Sequence, residues 1–538
     1  MNSTQQRITM PTKLEVYVRG ATAPSGTKYI VISQGELSAW IPHTTFTVDE
    51  KVAKLAIAEA GMSFIGKDWT ALQDDVRNVH SFPHEHVAEH AGWVPPDFLL
   101  LSAEAIPREG GFPPRAIFDA DPLAAQTTGT LGGYIKDVIE PLRGQALPTL
   151  ALCVMFAAPL LELTNRKHNF GFQMVAEGGT GKSTLQRIIG AGCGVDYVIS
   201  FHSTPNSLEQ QLALFHSMPV FVEELNLFGA EATGRDRGAK IKALAFSLAE
   251  GRLKSRYATK AERHRRVPFI YLASGNDNLE DLIQGASKAT SRAAIDRLMT
   301  LKLGPDQKHG VFQFVPPGYK GAKHYAESLD EAAEANAGHL LRAYLEPLVA
   351  ARAADEGAIR RLIKADIDRF SERAGVGQDD GSMARVADAF GLLLSGGLMA
   401  RRFGILPAGY PVGDAILYCY RHFLVAPKPP LSFDKLFAEY LQKPGVRDLD
   451  KQGLRPMGDK LFAATPAFLK AKRGYVEVSV HEPSINGAMP GWLKLIQKEG
   501  TRCSLDRDKD HVTKKRVVRC GQTDRMVVIL LPEGFLKS

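Results

Sequence analysis

Cysteine is scarce in this sequence: Cys153, Cys193, Cys419, Cys503 and Cys520 are the five in a chain of 538 residues. No pair has the spacing of a zinc site. Thiols this sparse and scattered exclude a disulfide framework and point to a reducing compartment. Long apolar runs are missing too. Met1 to Gln6 carry no hydrophobic segment of the kind a secretory signal needs. The most apolar stretch, Leu147 to Leu163, is short for a membrane span, contains Pro148 and Pro159, and has Glu162 near its end, so it reads as a buried helix. A cytoplasmic protein with no membrane segment is expected. An excess of one charge is nearly absent as well, with 66 Lys+Arg against 59 Asp+Glu and a net charge of +7. The 44% apolar and 23% charged fractions exclude collagen-like, coiled-coil and wholly disordered chains. The length suits roughly two to four domains.

What is present begins with a mixed α/β region. Leu14–Arg19 and Lys28–Ser33 alternate like strands around the turn Ala23-Pro24-Ser25-Gly26, and a helix is expected from Asp49 to Ala60 with Asp49 as its N-cap. His80, His84, His86 and His90 do not make a metal site: Pro83 breaks any helix between them, and no cysteine or carboxylate completes a ligand spacing. From Thr130 to Thr164 the pattern is helical. Apolar strands separated by helices then run from Phe170 to about Leu303, which implies a parallel sheet covered by helices. Residues 320–405 are alanine-rich and helical, and the prolines of Val425–Pro430 mark a linker.

The strongest motif is Ala176-Glu177-Gly178-Gly179-Thr180-Gly181-Lys182-Ser183-Thr184, a phosphate-binding loop with alanine where the strict pattern has glycine. Gly178, Gly179 and Gly181 let successive N–H groups turn inward towards phosphate oxygens, and the helix beginning near Lys182 adds its positive end. Lys182 is expected to reach the β- and γ-phosphates of ATP, with Thr180 and Thr184 in the cradle and the Ser183 hydroxyl on Mg2+. The strand Met218–Glu224 ends in two carboxylates. Glu223 is the expected metal acid, standing where aspartate is usual, and Glu224 polarises the attacking water. Val267–Asn276 is a further core strand, from which Asn276, or else Ser274, hydrogen-bonds the γ-phosphate. Arg297, with Arg292 as the alternative, precedes the strand Leu298–Leu303, where it would reach a neighbour's nucleotide.

This order of motifs resembles the AAA+ ATPases, in particular the superfamily III and minichromosome-maintenance helicases. More closely, the chain resembles the phage and mobile-element ATPases grouped as domain of unknown function 927. The matching stretches include His90–Trp93, Phe98–Leu101, Gly129-Thr130, Ser203–Glu209, Gly251–Arg256 and Met383–Gly404 followed by Pro407, and the likeness covers about residues 30–420. It implies an AAA+ type P-loop ATPase core with a parallel sheet flanked by helices (126–310). An N-terminal α/β domain (1–125), a helical lid or extension (311–425) and a small C-terminal α+β, winged-helix-like DNA-binding domain (432–538) would complete the chain. Some relatives carry a zinc-binding primase module. The cysteines for one are not here, so primase activity is not expected and a separate primase or initiator is the implied partner.

The +7 is not evenly spread. Gly251–Arg266 holds a net +6, from Arg252, Lys254, Arg256, Lys260, Arg263, Arg265 and Arg266 against Glu262. In the helicases named above, a hairpin at this position moves DNA through a central channel, and lysines and arginines suit contact with phosphates of any sequence. Lys254, Arg256, Lys260 and Arg263 are therefore the DNA-binding candidates. A second island lies at Lys470, Lys472, Arg473, Lys514, Lys515, Arg516 and Arg519. The expected function is an ATP-dependent helicase or translocase acting on single-stranded or forked DNA as a homo-oligomeric ring, a hexamer, in replication of a phage or mobile element. The alternative is a nucleotide-switched DNA-binding or initiator/loader ATPase that does not unwind processively.

Overall fold

The computed structural model describes residues 15–118, 126–200, 212, 214–224, 240, 243–244, 247–251, 266–276, 298–304, 307–376, 381–424, 433–454, 456–489, 492–497, 501–508, 511–520, 522–532 and 534–535. These fall into two compact units, one ending at residue 424 and one beginning at 433.

The first unit opens with an antiparallel sheet, β1 (Val16–Thr22), β2 (Lys28–Gln34) and β3 (Leu37–Pro42), in that order. Three helices, α1 (His43–Val48), α2 (Glu50–Glu59) and α3 (Lys67–Arg77), bury Phe46, Ala53, Ile57, Trp69, Leu72 and Val76 against Ile30, Ile32 and Ile41. Asp49 caps α2 by accepting the Val52 N–H, as its sequence position implied. Two small sheets follow: β4 (Val87–Ala88) with β8 (Arg115–Ala116), and β5 (Gly92–Val94), β6 (Asp97–Leu99) and β7 (Ala105–Ile106). β3 and α3 went unread in the sequence, although Trp69, Leu72 and Val76 of α3 stand at helical spacing.

After the short helix α4 (Leu131–Tyr134) comes α5 (Ala146–Ala157), all twelve residues of which are buried. By length and composition Ala146–Leu163 and Met383–Arg402 could each cross a membrane. In this fold, 94% and 72% of them lie inside the protein. A helix apolar all round belongs in a core. The central sheet contains β9 (Phe170–Val175), β10 (Ile199–Ser200), β11 (Met218–Glu223), β12 (Phe269–Gly275) and β13 (Leu298–Lys302). Their order is β10-β11-β12-β9-β13 and every pairing is parallel. The chain leaves β9 for the far edge, returns through β11 and β12, and ends on the other side of β9 at β13. The direction of winding therefore changes at β9, which places a cleft at its carboxyl end. α6 (Lys182–Gly190) follows that end directly.

Long helices Ala322–Glu334, Leu340–Ala374 and Gly381–Arg402 come next, as the alanine-rich composition implied. Leu340–Ala374 breaks at Asp355, whose carboxylate accepts the Ala358 N–H and restarts the helix. Glycines in Gly381–Arg402 serve close packing: a Cβ on Gly396 would stand 2.6 Å from the Ala157 backbone nitrogen, and one on Gly397 2.6 Å from Cys153 Sγ. Helix glycine costs about 1 kcal/mol relative to alanine, and close helix contact offsets it.

The second unit has a six-stranded sheet. β14 (Arg447–Asp448), β15 (Phe468–Lys472) and β16 (Tyr475–Val480) lead to the long β19 (Gln522–Pro532), whose other edge pairs with β17 (Ser504–Asp506) and β18 (Thr513–Arg519). Phe433, Phe437, Tyr440 and Trp492 pack with Val478, Val480, Val527 and Ile529 on one face. A winged-helix-like domain was expected here. The unit is α+β, with β16 alternating apolar and polar residues and β19 passing from polar Gln522–Arg525 to apolar Met526–Leu531.

Gly396→Ala is expected to lower unfolding stability by about 2 kcal/mol, since the obstructing atoms are backbone. Denaturant unfolding measures this, and an unchanged midpoint would contradict the packing argument.

Candidate nucleotide site

β9 is buried along its whole length and delivers the chain to the loop Ala176–Gly181. Gly179 (φ 78°) and Gly181 (φ 86°) are both left-handed, a conformation that side chains with a Cβ strongly disfavour. Gly181 is also the N-cap of α6 and brings no side chain to satisfy the helix's first N–H groups. Such a helix start suits an anion. Lys182 Nζ folds back over the loop and donates to the carbonyl oxygens of Ala176 (2.8 Å) and Glu177 (2.9 Å). It lies 3.3 Å from both Thr180 Oγ1 and Asn276 Oδ1. Burial lowers the pKa of this lysine. Val311 N–H donates to the Thr180 carbonyl (2.9 Å), so the segment after β13 lies against the loop.

The two acids leave β11 differently. Glu223 is half-buried, and its Oε1 is buried with no hydrogen bond among the described residues. Arg187 Nη1 stands 3.7 Å from that oxygen, close enough for Coulomb attraction but too far for a hydrogen bond. Glu224 is exposed with φ 54°, a conformation uncommon for glutamate that is worth about 1 kcal/mol or more of strain. Its N–H donates to Ser274 Oγ at 3.2 Å. Ser274 therefore braces Glu224, while Asn276, two residues on, faces Lys182.

Sequence reasoning missed Gln186. Its side chain is wholly buried, and Nε2 donates to the carbonyls of Val222 (2.9 Å) on β11 and Leu272 (2.7 Å) on β12. It ties the helix that carries Lys182 and Ser183 to the strands that carry both acids and Asn276. The available signal was a glutamine on the apolar face formed by Leu185, Ile188 and Ile189. Arg187 was missed too; its Nη2 lies 2.8 Å from Asp330 Oδ2, in the helix Ala322–Glu334.

Arg292 and Arg297, and Lys254, Arg256, Lys260, Arg263 and Arg265 of the first basic island, lie outside the described residues. The ends of that island are described. Val267 N–H donates to the Gly251 carbonyl at 2.9 Å, and Arg266 is anchored on the Arg166 carbonyl (2.9 Å) and Asn169 Oδ1 (3.0 Å). Arg266 is thus half-buried and committed to the fold. In the second island, Lys514 pairs with Asp506, Arg516 with Glu477 and Asp506, and Arg519 with Asp459 and Asp524. Lys470, Lys472, Arg473 and Lys515 make no ion pair among the described residues.

Against this geometry stand the likenesses to known proteins. Residues 8–267 match the protein family described as domain of unknown function (DUF927). No curated protein sequence matches the chain. A solved structure described as "SCCmec type IV Cch - active helicase" is similar in fold to this chain, with TM-score 0.59 and 14% identity, covering 97% of this chain and 94% of that one. The C-terminal region of NrS-1 aligns at TM-score 0.28 and 10% identity, over 71% of this chain and 87% of that one, too low to establish a shared fold.

Replacing Gln186 with leucine removes the amide donor shared by two buried carbonyls and is expected to cost about 2–3 kcal/mol of stability. Equilibrium denaturation reads this directly, and a variant as stable as the wild type would show that the amide is not holding the strands.

Proposed function

We propose that this protein, whose residues 8–267 match the DUF927 model, is an ATP-driven DNA helicase or translocase of the AAA+ P-loop type, working as a ring of six copies in the replication of a mobile element. The observation that carries the proposal is the meeting of Lys182, Glu223, Glu224 and Asn276 around the carboxyl ends of parallel strands, braced by one buried glutamine. The whole-chain fold likeness to a protein described as an active helicase supports the choice of reaction. The proposed domain layout is the one expected from the sequence.

In this reading the loop N–H groups and Lys182 bind the phosphates of ATP, with Lys182 exchanging the carbonyls of Ala176 and Glu177 for phosphate oxygens. The buried, unspent Glu223 Oε1 fits a divalent cation, and Ser183, next to Lys182 at the start of α6, supplies a hydroxyl ligand. Mg2+ held there would neutralise charge on the phosphates. Glu224, exposed just past β11 with its backbone N–H held by Ser274, orients and deprotonates the attacking water. Asn276 reads the γ-phosphate. Arg297 is proposed to act on the neighbouring copy's nucleotide, with Arg292 as the alternative. Lys254, Arg256, Lys260 and Arg263 are proposed to contact DNA phosphates, and Lys470, Lys472 and Arg473 form the second candidate contact. Their salt-sensitive binding would be independent of base sequence.

Lys182→Ala is expected to reduce ATP hydrolysis to background and to weaken nucleotide binding at least about tenfold. Glu224→Gln is expected to keep nucleotide binding while turnover falls about a hundredfold. Phosphate release and fluorescent-nucleotide titration check both, and full turnover by Lys182→Ala would refute the assignment.

A further inference from the structure

We propose that Arg187 is a positioning residue for the divalent-cation site: its guanidinium, hydrogen-bonded to Asp330, balances the Glu223 carboxylate before the cation binds and yields that carboxylate to the cation while keeping Asp330. This rests on the nucleotide-site reading above. One guanidinium faces two acids. Its Nη2 makes a true hydrogen bond to Asp330 Oδ2 at 2.8 Å, whereas Nη1 is 3.7 Å from Glu223 Oε1. The same Nη2 lies 3.4 Å from Thr184 Oγ1, within the phosphate-loop motif itself.

These distances are unequal in a telling way. Glu223 Oε1 is buried and accepts no hydrogen bond among the described residues, so its lone pairs are unspent although its charge is partly balanced. An ionised carboxylate withdrawn from water needs a nearby cation, and Arg187 is the cation beside it. A divalent ion reaching that oxygen displaces only a Coulomb contact and breaks no hydrogen bond. Arg187 keeps its stronger partner throughout. Arginine and metal therefore compete for one oxygen, and Asp330 sets how strongly the arginine competes. Asp330 lies in the helix Ala322–Glu334, so the exchange links the cation to an element beyond the sheet. Aspartate at position 223, shorter by one methylene, would draw the carboxylate back from Arg187, which gives glutamate a reason to stand there.

The test uses the full chain saturated with ADP and titrated with Mn2+, free Mn2+ being followed by electron paramagnetic resonance. The wild type is expected to bind Mn2+ in an ADP-dependent manner and Glu223→Gln to weaken it; absence of both would overturn the nucleotide-site reading itself. Arg187→Gln is expected to tighten Mn2+ binding about threefold to tenfold, the size of a partly exposed ion pair, and Asp330→Asn to weaken it by a similar factor. Asp330→Asn added to Arg187→Gln is expected to change nothing further, because Asp330 acts through the arginine. Arg187→Lys, which keeps a charge, should fall between wild type and Arg187→Gln, and it serves if the glutamine variant does not fold. If Glu223→Gln weakens binding while Arg187→Gln leaves it unchanged or weaker, the inference fails and the site reading stands. An Asp330→Asn effect that persists without Arg187 also overturns the inference.

Discussion

The buried amide of Gln186 is the contact on which the site's geometry depends. Gln186 Nε2 donates to two strand carbonyls at once, Val222 near the end of β11 and Leu272 within β12, from inside α6. Helix and strands cannot slide independently while both bonds hold. Every chemical group in the site is within a few residues of one end of this tie: Lys182 and Ser183 upstream, Glu223 and Glu224 just past Val222, Ser274 and Asn276 just past Leu272.

Around this tie the fold adds contacts from segments distant in sequence. Val311 lies on the loop carbonyl of Thr180, and Asp330 takes Arg187 from the same helix as the loop lysine. Both come after β13, so the part of the chain that follows the sheet is bonded to the part that would hold phosphate. Beneath it, α5 is buried on all sides, and the glycines of Gly381–Arg402 let that helix approach its backbone. A site held this way is pre-organised by packing as well as by its own hydrogen bonds.

The strand, loop and helix of the phosphate-binding motif were legible because glycine pattern and apolar runs are local signals. The paired acids were legible for the same reason. What escaped was non-local. Gln186 is an ordinary helix glutamine until two strands arrive with carbonyls to donate to, and Asp330 is 143 residues from Arg187. The left-handed turn at Glu224 depends on Ser274, 50 residues away. In the second unit the count of basic residues was right but their availability was not readable: Arg516 and Arg519 find acids 39 and 60 residues distant, while Lys472 and Arg473 at the β15–β16 turn have no ion pair among the described residues. Charge summed along a sequence overstates charge offered to a partner.

The central claim is that nucleotide chemistry at this site drives strand separation. Its most direct test is displacement of a labelled strand from forked DNA by the wild-type chain, with ATP and Mg2+ compared against a slowly hydrolysed ATP analogue. The account predicts displacement with ATP and none with the analogue. ATP hydrolysis without displacement, on forks of either polarity, would contradict it and leave a nucleotide-switched DNA-binding protein in its place.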